Sequence, residues 1–217
     1  MSSGSPELTD KALLEQGLAA LGLGSAMAAP LLGYLDELLR WNRAYNLTAV
    51  RDREAAISRH LLDSLSVWSL LEPGDVVDVG TGPGLPGIPL ALALPERHFV
   101  LVDSSIKKIR FVRHAALQLG LANVEAVHAR VQDYRPENSF GNVVSRAFAD
   151  TAQFWQVAGH LRRPDGRLLA MKGQYPTHEL ACLPPAAGLV EVHRLEVPGT
   201  DAQRHVVVIG PDGNTSA

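Results

Sequence analysis

The 217-residue chain lacks the features that mark several large classes of protein. It contains one cysteine, Cys182, so neither a disulfide framework nor a cysteine-rich zinc site can form. The N-terminus has neither the basic segment nor the apolar stretch of a signal peptide. Residues 17–35 carry no charge, but four glycines and a proline interrupt them and predict two helices broken near Gly22–Ser25. We therefore expect a cytoplasmic protein with no membrane-spanning segment.

The chain also lacks a general excess of basic residues. Its 20 Lys and Arg stand against 23 Asp and Glu, a net charge of −3. The distribution is uneven, because residues 40–172 hold 17 basic and 13 acidic residues whereas the two ends hold 3 and 10. A mildly cationic body between acidic ends is compatible with an anionic partner.

Two patterns divide the chain. Residues 1–72 are predicted to form an N-terminal helical extension, since leucines recur at helical spacing over 13–21, 31–39 and 57–71. Residues 73–212 alternate short apolar strands with helices, which is typical of an α/β fold with a parallel sheet covered on both faces. The segments 189–197 and 204–209 are expected to pair antiparallel at the sheet edge.

The strongest local signal is the segment DVGTGPGLPGIPL at 78–90, which follows the first predicted strand. Gly80, Gly82 and Gly84 alternate just before a helix, where the backbone must turn tightly and let a ligand approach closely. In open α/β sheets, ligands bind at the carboxyl ends of the strands. The loop is therefore a predicted ligand site.

The ligand on this loop is predicted to be S-adenosylmethionine (SAM). Residues 82–87 also fit the GxGxxG dinucleotide pattern, which is weak evidence alone. Two of the six are prolines, which have no N–H to offer a pyrophosphate. Asp78 places a carboxylate nearby, which favours a ligand with an ammonium or sulfonium group over NAD.

Two further segments complete the predicted cofactor site. Asp103, at the end of the second predicted strand, is suited to accept hydrogen bonds from ribose hydroxyls. Its alternative role is to cap the following helix. Residues 129–133 follow the third strand, where they can border the adenine.

Five motifs together resemble one family. They are RWNRAYNLT at 40–48, RHLLDS at 59–64, the glycine-rich segment at 78–90, SRAF at 145–148 and MKGQ at 171–174. This combination resembles the bacterial small-subunit ribosomal RNA guanine-N7 methyltransferase family, also called glucose-inhibited division protein B. The resemblance covers about residues 34–210.

The resemblance implies a Rossmann-like class I SAM-dependent methyltransferase, with a seven-stranded, mostly parallel sheet, an antiparallel edge strand and an added N-terminal helical extension. It implies methyl transfer to a guanine N7 in the decoding-region loop of 16S rRNA. By motif position, the family's cofactor contacts fall on Gly80, Leu85, Val131, Gln132 and Arg146. Gln132 departs from the pattern, because an acidic residue is usual there. The predicted cofactor-binding set is therefore Asp78, Gly80, Gly82, Gly84, Leu85, Asp103, Val131, Gln132 and Arg146.

Guanine N7 has an in-plane lone pair and no proton, so the reaction needs positioning more than acid–base catalysis. No catalytic residue is predicted; Arg146 and Phe148 are candidates for positioning, with core packing as the alternative for Phe148. His60 and Asp63 are spaced like metal ligands, but no third ligand is evident and no metal is expected.

Basic side chains are the candidates for contact with RNA. They are Lys107, Lys108, Arg110 and Arg113 on one predicted helix, together with Arg51, Arg59 and Lys172. The alternative is a solvated helix face. The expected partner is small-subunit rRNA or a ribosomal particle, and the protein is expected to be a monomer. Two other functions remain open: a methyltransferase of the same fold acting on a small molecule, and an NAD-dependent oxidoreductase.

Overall fold

The computed structural model describes residues 6–146, 148 and 150–211, with side chains described from residue 9 onward. Residues 1–5 of the predicted extension and residue 212 of the predicted domain lie outside these ranges. Helices α1 (Pro6–Ala20) and α2 (Ala28–Tyr45) are separated at the predicted break, where Gly22 has a φ of +72° and Ser25–Met27 form a 3₁₀ turn.

The third helical segment of the extension is irregular. It consists of α3 (Arg53–Ala56), a π-helical stretch (Ile57–Leu62), α4 (Asp63–Leu65) and a 3₁₀ turn (Trp68–Leu70). The helix predicted over 57–71 is therefore confirmed in part: helical turns begin at Arg53, and residues 66–67 interrupt them before the final 3₁₀ turn. π-Helical turns are frequent at functional sites, and this one carries Arg59 and His60.

Within the described residues, seven strands form one sheet in the order β3-β2-β1-β4-β5-β7-β6. The strands are β1 (Val76–Val79), β2 (Phe99–Asp103), β3 (Val124–His128), β4 (Phe140–Ser145), β5 (Arg162–Lys172), β6 (Val190–Leu195) and β7 (Arg204–Ile209). The helices between them are α5 (Gly87–Ala93), α6 (Ile106–Gln118), α7 (Thr151–Ala158) and α8 (Thr177–Ala181).

The sheet is parallel from β3 to β5 and antiparallel at its other end. The antiparallel strand is β7, which lies between β5 and the edge strand β6. The predicted antiparallel pair at this edge is confirmed. β6 is the edge strand, and β7 is the second strand from the edge. β5 begins at Arg162, whose backbone pairs with Phe140 before a bulge in the β4–β5 pairing.

Apolar side chains cover both faces of the sheet with a period of two. Val76 and Leu101 pack on the face that carries α5, α6 and the helical extension, whereas Val77 and Val100 pack on the face that carries α7. This arrangement explains why the central strands are hydrophobic at nearly every position.

The helical extension shares its core with the sheet. Leu18 and Leu35 are fully buried in the same cluster as Leu62, Leu101 and Phe111. The division at residues 72 and 73 stays a prediction from the sequence pattern, and the hydrophobic core crosses it.

Because the core is continuous, we expect a buried leucine of the extension to stabilise the whole chain. Leu35→Ala should lower the free energy of unfolding by about 2–5 kcal/mol, as for buried leucines elsewhere. Denaturant unfolding followed by far- and near-UV circular dichroism should show one shifted transition. Leu117→Ala, at a side chain 77% exposed, is the control and should change little. A separate early transition confined to the helices would contradict a shared core.

Candidate active site

The site lies where the strand order of the sheet reverses. β2 and β3 lie on one side of β1, and β4 and β5 lie on the other. The chain therefore leaves β1 and β4 in opposite directions, which opens a crevice at their carboxyl ends. The glycine-rich loop follows β1, and Arg146 and Phe148 follow β4.

Three glycines of the loop have positive φ angles: +69° at Gly80, +61° at Gly82 and +97° at Gly84. Side chains are strained in this region of backbone conformation. A Cβ on Gly84 would also lie 2.6 Å from the Ile88 side chain, whereas a Cβ on Gly82 would meet nothing within 4 Å. Gly84 therefore lets the loop pack on α5, and Gly82 borders open space.

Asp78 holds the two ends of the loop together from inside the protein. Its Oδ2 accepts hydrogen bonds from the Thr81 hydroxyl (2.6 Å) and from the Gly87 N–H (2.8 Å). Its Oδ1 is buried without a hydrogen-bond partner among the described residues. Burial raises the pKa of Asp78 to about 6, against the opposing effect of these hydrogen bonds.

Asp103 ties the same loop to the start of α6. Its Oδ2 accepts a hydrogen bond from the Gly82 N–H (2.9 Å), and its Oδ1 accepts one from the Ser105 N–H (2.8 Å). The second bond closes a local turn just before α6, whose N-cap residue is Ser105. The ribose contact of Asp103 stays a prediction. Lys108 lies 3.5 Å from Oδ2 as an ion-pair partner.

A cleft of about 780 Å³ opens beside these groups, and we term it the cofactor cleft. This volume is in the range of small-molecule sites. Five predicted site residues line it: Gly80, Asp103, Val131, Gln132 and Phe148. Lys108, considered above as an RNA contact, lines it too. The sequence analysis missed His128 at the end of β3 and Gln153 and Val157 on α7, because no local pattern marks them.

The remaining predicted cofactor residues do not line this cleft. Asp78, Gly82, Gly84 and Leu85 belong to β1 and its loop, all of them buried. Arg146 lines a different cavity.

A second cavity, the basic cleft, lies on the other side of Phe148. It consists of two pockets that share Arg146, Met171, Lys172 and Gly173. The inner pocket, about 340 Å³, also contains Arg59, His60, Asp63, Arg204 and His205. The outer pocket, about 630 Å³, also contains Phe148 and residues 174–179.

Arg146 is held in the basic cleft by a buried carboxylate. Its guanidinium lies 3.0 Å from Asp63 Oδ2, and the Arg204 guanidinium lies 2.7 Å from Asp63 Oδ1. Asp63 is 3% exposed, so both of its oxygens are engaged away from bulk water. Arg204 is 141 residues from Asp63 in the sequence, and no local sequence motif indicated that it belongs to this site.

His60 is a neutral, fixed group in the inner pocket. Its Nδ1 lies 3.1 Å from the Arg59 carbonyl, which can only accept, so Nδ1 carries the proton. Nε2 then accepts from the Thr48 hydroxyl at 2.8 Å. Burial, with the charge of Arg146, lowers the pKa of His60 to about 4. Among the described residues, no group of three His, Cys, Asp or Glu side chains is placed to bind a metal.

Phe148 forms the wall between the two clefts, because it lines both. Its ring packs 5.2 Å from that of Phe154, so part of its role is core packing. Its carbonyl accepts a hydrogen bond from Lys172 Nζ (3.0 Å). Lys172 is 8% exposed and also pairs with Glu179 at 2.6 Å, so it braces this wall instead of presenting a solvated cation.

Three of the four basic residues of α6 contact other parts of the chain. Lys108 faces Asp103, Lys107 Nζ donates to the Tyr45 carbonyl (3.3 Å), and Arg113 donates to the Ala126 carbonyl (3.0 and 3.2 Å). Arg110, Arg51 and Arg59 are exposed, and only Arg59 borders the basic cleft. RNA contact by these residues stays a prediction.

Solved structures with this fold identify its class. The structure resembles a SAM-dependent methyltransferase from Aquifex aeolicus (TM-score 0.54, 20% identity, 69% of this chain and 90% of that chain). It also resembles TrmN from Thermus thermophilus (TM-score 0.56, 20% identity, 71% of this chain and 53% of that chain). The fold is that of the Rossmann-like SAM-dependent methyltransferases, as predicted.

The sequence identifies the family within this class. Residues 27–207 match the family described as rRNA small subunit methyltransferase G. A protein of that name from Methylococcus capsulatus is 49% identical over 94% of this chain and 100% of its own length. Another, from Xanthomonas oryzae pv. oryzae, is 49% identical over 91% of this chain and 93% of its own. The chain belongs to the rRNA small subunit methyltransferase G family, and the predicted resemblance is confirmed. No helix in the described part of the chain is long and apolar enough to cross a membrane.

We expect Asp63 to be important for stability, because its removal leaves two arginines without their shared carboxylate. Asp63→Ala should lower the free energy of unfolding by about 1.5–3 kcal/mol, the range for hydrogen bonds to charged groups. The matched control is Asp165→Ala, which removes an exposed partner of Arg163 and should cost under about 0.5 kcal/mol. Urea unfolding of both variants measures the difference. Equal stability of the two variants would show that the Asp63 ion pairs contribute nothing.

Proposed function

We propose that this chain transfers the methyl group of SAM to N7 of a guanine in the decoding-region loop of 16S rRNA, as a monomer in the cytoplasm. The observation that carries the proposal is the shared wall at Phe148. A cofactor in the cofactor cleft and a base in the basic cleft would meet there, at the carboxyl ends of β1 and β4.

The cofactor cleft offers each part of SAM a suitable partner. Asp103 would accept hydrogen bonds from the ribose hydroxyls, while Val131 and Gln132 border the adenine. The orphaned oxygen of Asp78 suits the positive end of the ligand. SAM supplies, when bound, an electrophilic methyl group on sulfur; the protein's part is to fix its direction and exclude water.

The basic cleft suits an acceptor that needs no general base. Guanine N7 already has a free lone pair, and two acid–base candidates of the inner pocket, His60 and Asp63, are engaged by other groups of the chain. His60 is neutral with both nitrogens hydrogen-bonded, and Asp63 is neutralised by two arginines. The arrangement therefore favours positioning over proton transfer.

Arg146 has a defined role in this proposal. An arginine bonded to both O6 and N7 of guanine would block the reacting nitrogen. Because Asp63 engages one edge of its guanidinium, Arg146 can donate to O6 alone while N7 stays free. Phe148 would lie against the base or the cofactor, since it lines both clefts.

The alternatives are less consistent with these cavities. A small acceptor would not require a basic cleft of two joined pockets with Arg59 exposed at its border. A dinucleotide would place its pyrophosphate on a loop that lacks the N–H groups of Pro83 and Pro86 and contains a buried carboxylate.

The function is tested with rRNA from cells that lack this protein. We expect the purified chain and labelled SAM to modify one guanine, mapped by cleavage specific for N7-methylguanine, in the decoding-region loop. Protein-free 16S rRNA and intact small subunits, offered separately, identify which form is the substrate. Transfer to neither, or label at another position only, would contradict the proposal.

We expect Asp103 to be needed for SAM binding. Asp103→Asn keeps the size of the side chain but replaces one acceptor oxygen with a donor, so about 1.5–3 kcal/mol of binding free energy should be lost. Calorimetric titration with SAM measures the change, and circular dichroism checks the fold. Glu125→Gln, at an exposed position on the neighbouring strand β3, should bind normally. Unchanged affinity in folded Asp103→Asn would remove Asp103 from the site.

A further inference from the structure

One exposed aromatic ring borders the basic cleft without a role in the proposed reaction. Tyr175 is 53% exposed and lines the outer pocket, in the loop between β5 and α8. Single exposed aromatics are common on protein surfaces and need no special explanation. Tyr175 differs from such residues in the side chain that its ring packs on and in the polar groups that surround it.

The ring of Tyr175 is supported by a wall of the inner pocket. It lies 5.6 Å from the His205 ring at an interplanar angle of 87°. His205 is 7% exposed, lies on β7 opposite Lys172, and lines the inner pocket. A perpendicular contact leaves at least one face of the tyrosine ring uncovered by His205.

The backbone around Tyr175 is also constrained. Its carbonyl accepts a hydrogen bond from the Thr177 N–H (3.1 Å), and the intervening Pro176 is buried. α8 begins at the next residue, and its Glu179 pairs with Lys172. The ring therefore stands on an ordered support, which lowers the entropy lost when a partner binds.

The groups around the ring suit a single-stranded nucleic acid. Arg146, Gln174 and His178 line the same outer pocket and can donate to phosphate or base edges. Aromatic faces next to cationic and amide groups are the usual means of binding unstacked bases.

We propose that the outer pocket contains a second nucleotide subsite, in which Tyr175 stacks on the base adjacent to the acceptor guanine. This inference rests on the proposed function, in which the acceptor meets the cofactor at Phe148. Phe148 and Tyr175 line the same outer pocket, so the acceptor and its neighbour on one strand would occupy it together.

The test compares Tyr175→Ala and Tyr175→Phe with the parent, and uses Tyr45→Ala as the matched control. Tyr45 is 47% exposed and lines neither pocket of the basic cleft. The probe is unmodified 16S rRNA, protein-free or in small subunits, whichever form the parent methylates. RNA affinity is measured by filter binding at several salt concentrations, and SAM affinity by calorimetry.

We expect Tyr175→Ala to weaken RNA binding by roughly 5- to 150-fold, the range for loss of one stacked base. The slope of log affinity against log salt should not change, because no cation is lost. Tyr175→Phe and Tyr45→Ala should stay within about twofold of the parent, and all variants should bind SAM like the parent.

Four results would overturn the subsite: parent-like RNA affinity in Tyr175→Ala, an equal loss in Tyr175→Phe, an equal loss in Tyr45→Ala, or a loss of SAM affinity in Tyr175→Ala. A failure of the proposed function would be distinguishable from these results, because the parent protein would then methylate neither form of the RNA.

Discussion

Two buried carboxylates at the ends of adjacent strands hold the loop on which the site depends. Asp78 joins the two ends of the glycine-rich loop through Thr81 and Gly87, and Asp103 holds its middle through the Gly82 N–H. Carboxylates are costly to bury unless they are hydrogen-bonded. Groups of the loop meet that cost in part, and Oδ1 of Asp78 stays without a hydrogen-bond partner among the described residues.

The helical extension completes the site as well as the core. The Tyr34 hydroxyl, fully buried on α2, donates to the Pro83 carbonyl of the loop at 2.8 Å. Burial raises the pKa of Tyr34 well above its usual range, so it remains a donor. Asp63 of the extension holds Arg146 of the sheet domain. Both clefts therefore depend on contacts that cross the predicted boundary at residue 72.

The electrostatics of the basic cleft are consistent with a reaction controlled by geometry. Its carboxylates are each paired with cations, Asp63 with two arginines and Glu179 with Lys172. His60 is neutral because burial and Arg146 disfavour its charged form. Such a cleft keeps a net positive charge while His60 and Asp63 are held by neighbouring groups.

The sequence by itself determined the fold class, the glycine-rich loop, the position of Asp103 and the family. These features depend on local patterns: hydrophobic period, glycines at a strand end, and motifs of adjacent residues. Only the tertiary structure decided that Lys172 is buried, that three of the four cations of α6 each contact a different partner, and that Arg204 pairs with Asp63. Those outcomes depend on pairing between distant segments. The spacing of residues along a helix does not predict which neighbour each side chain contacts, because that neighbour belongs to a segment distant in sequence.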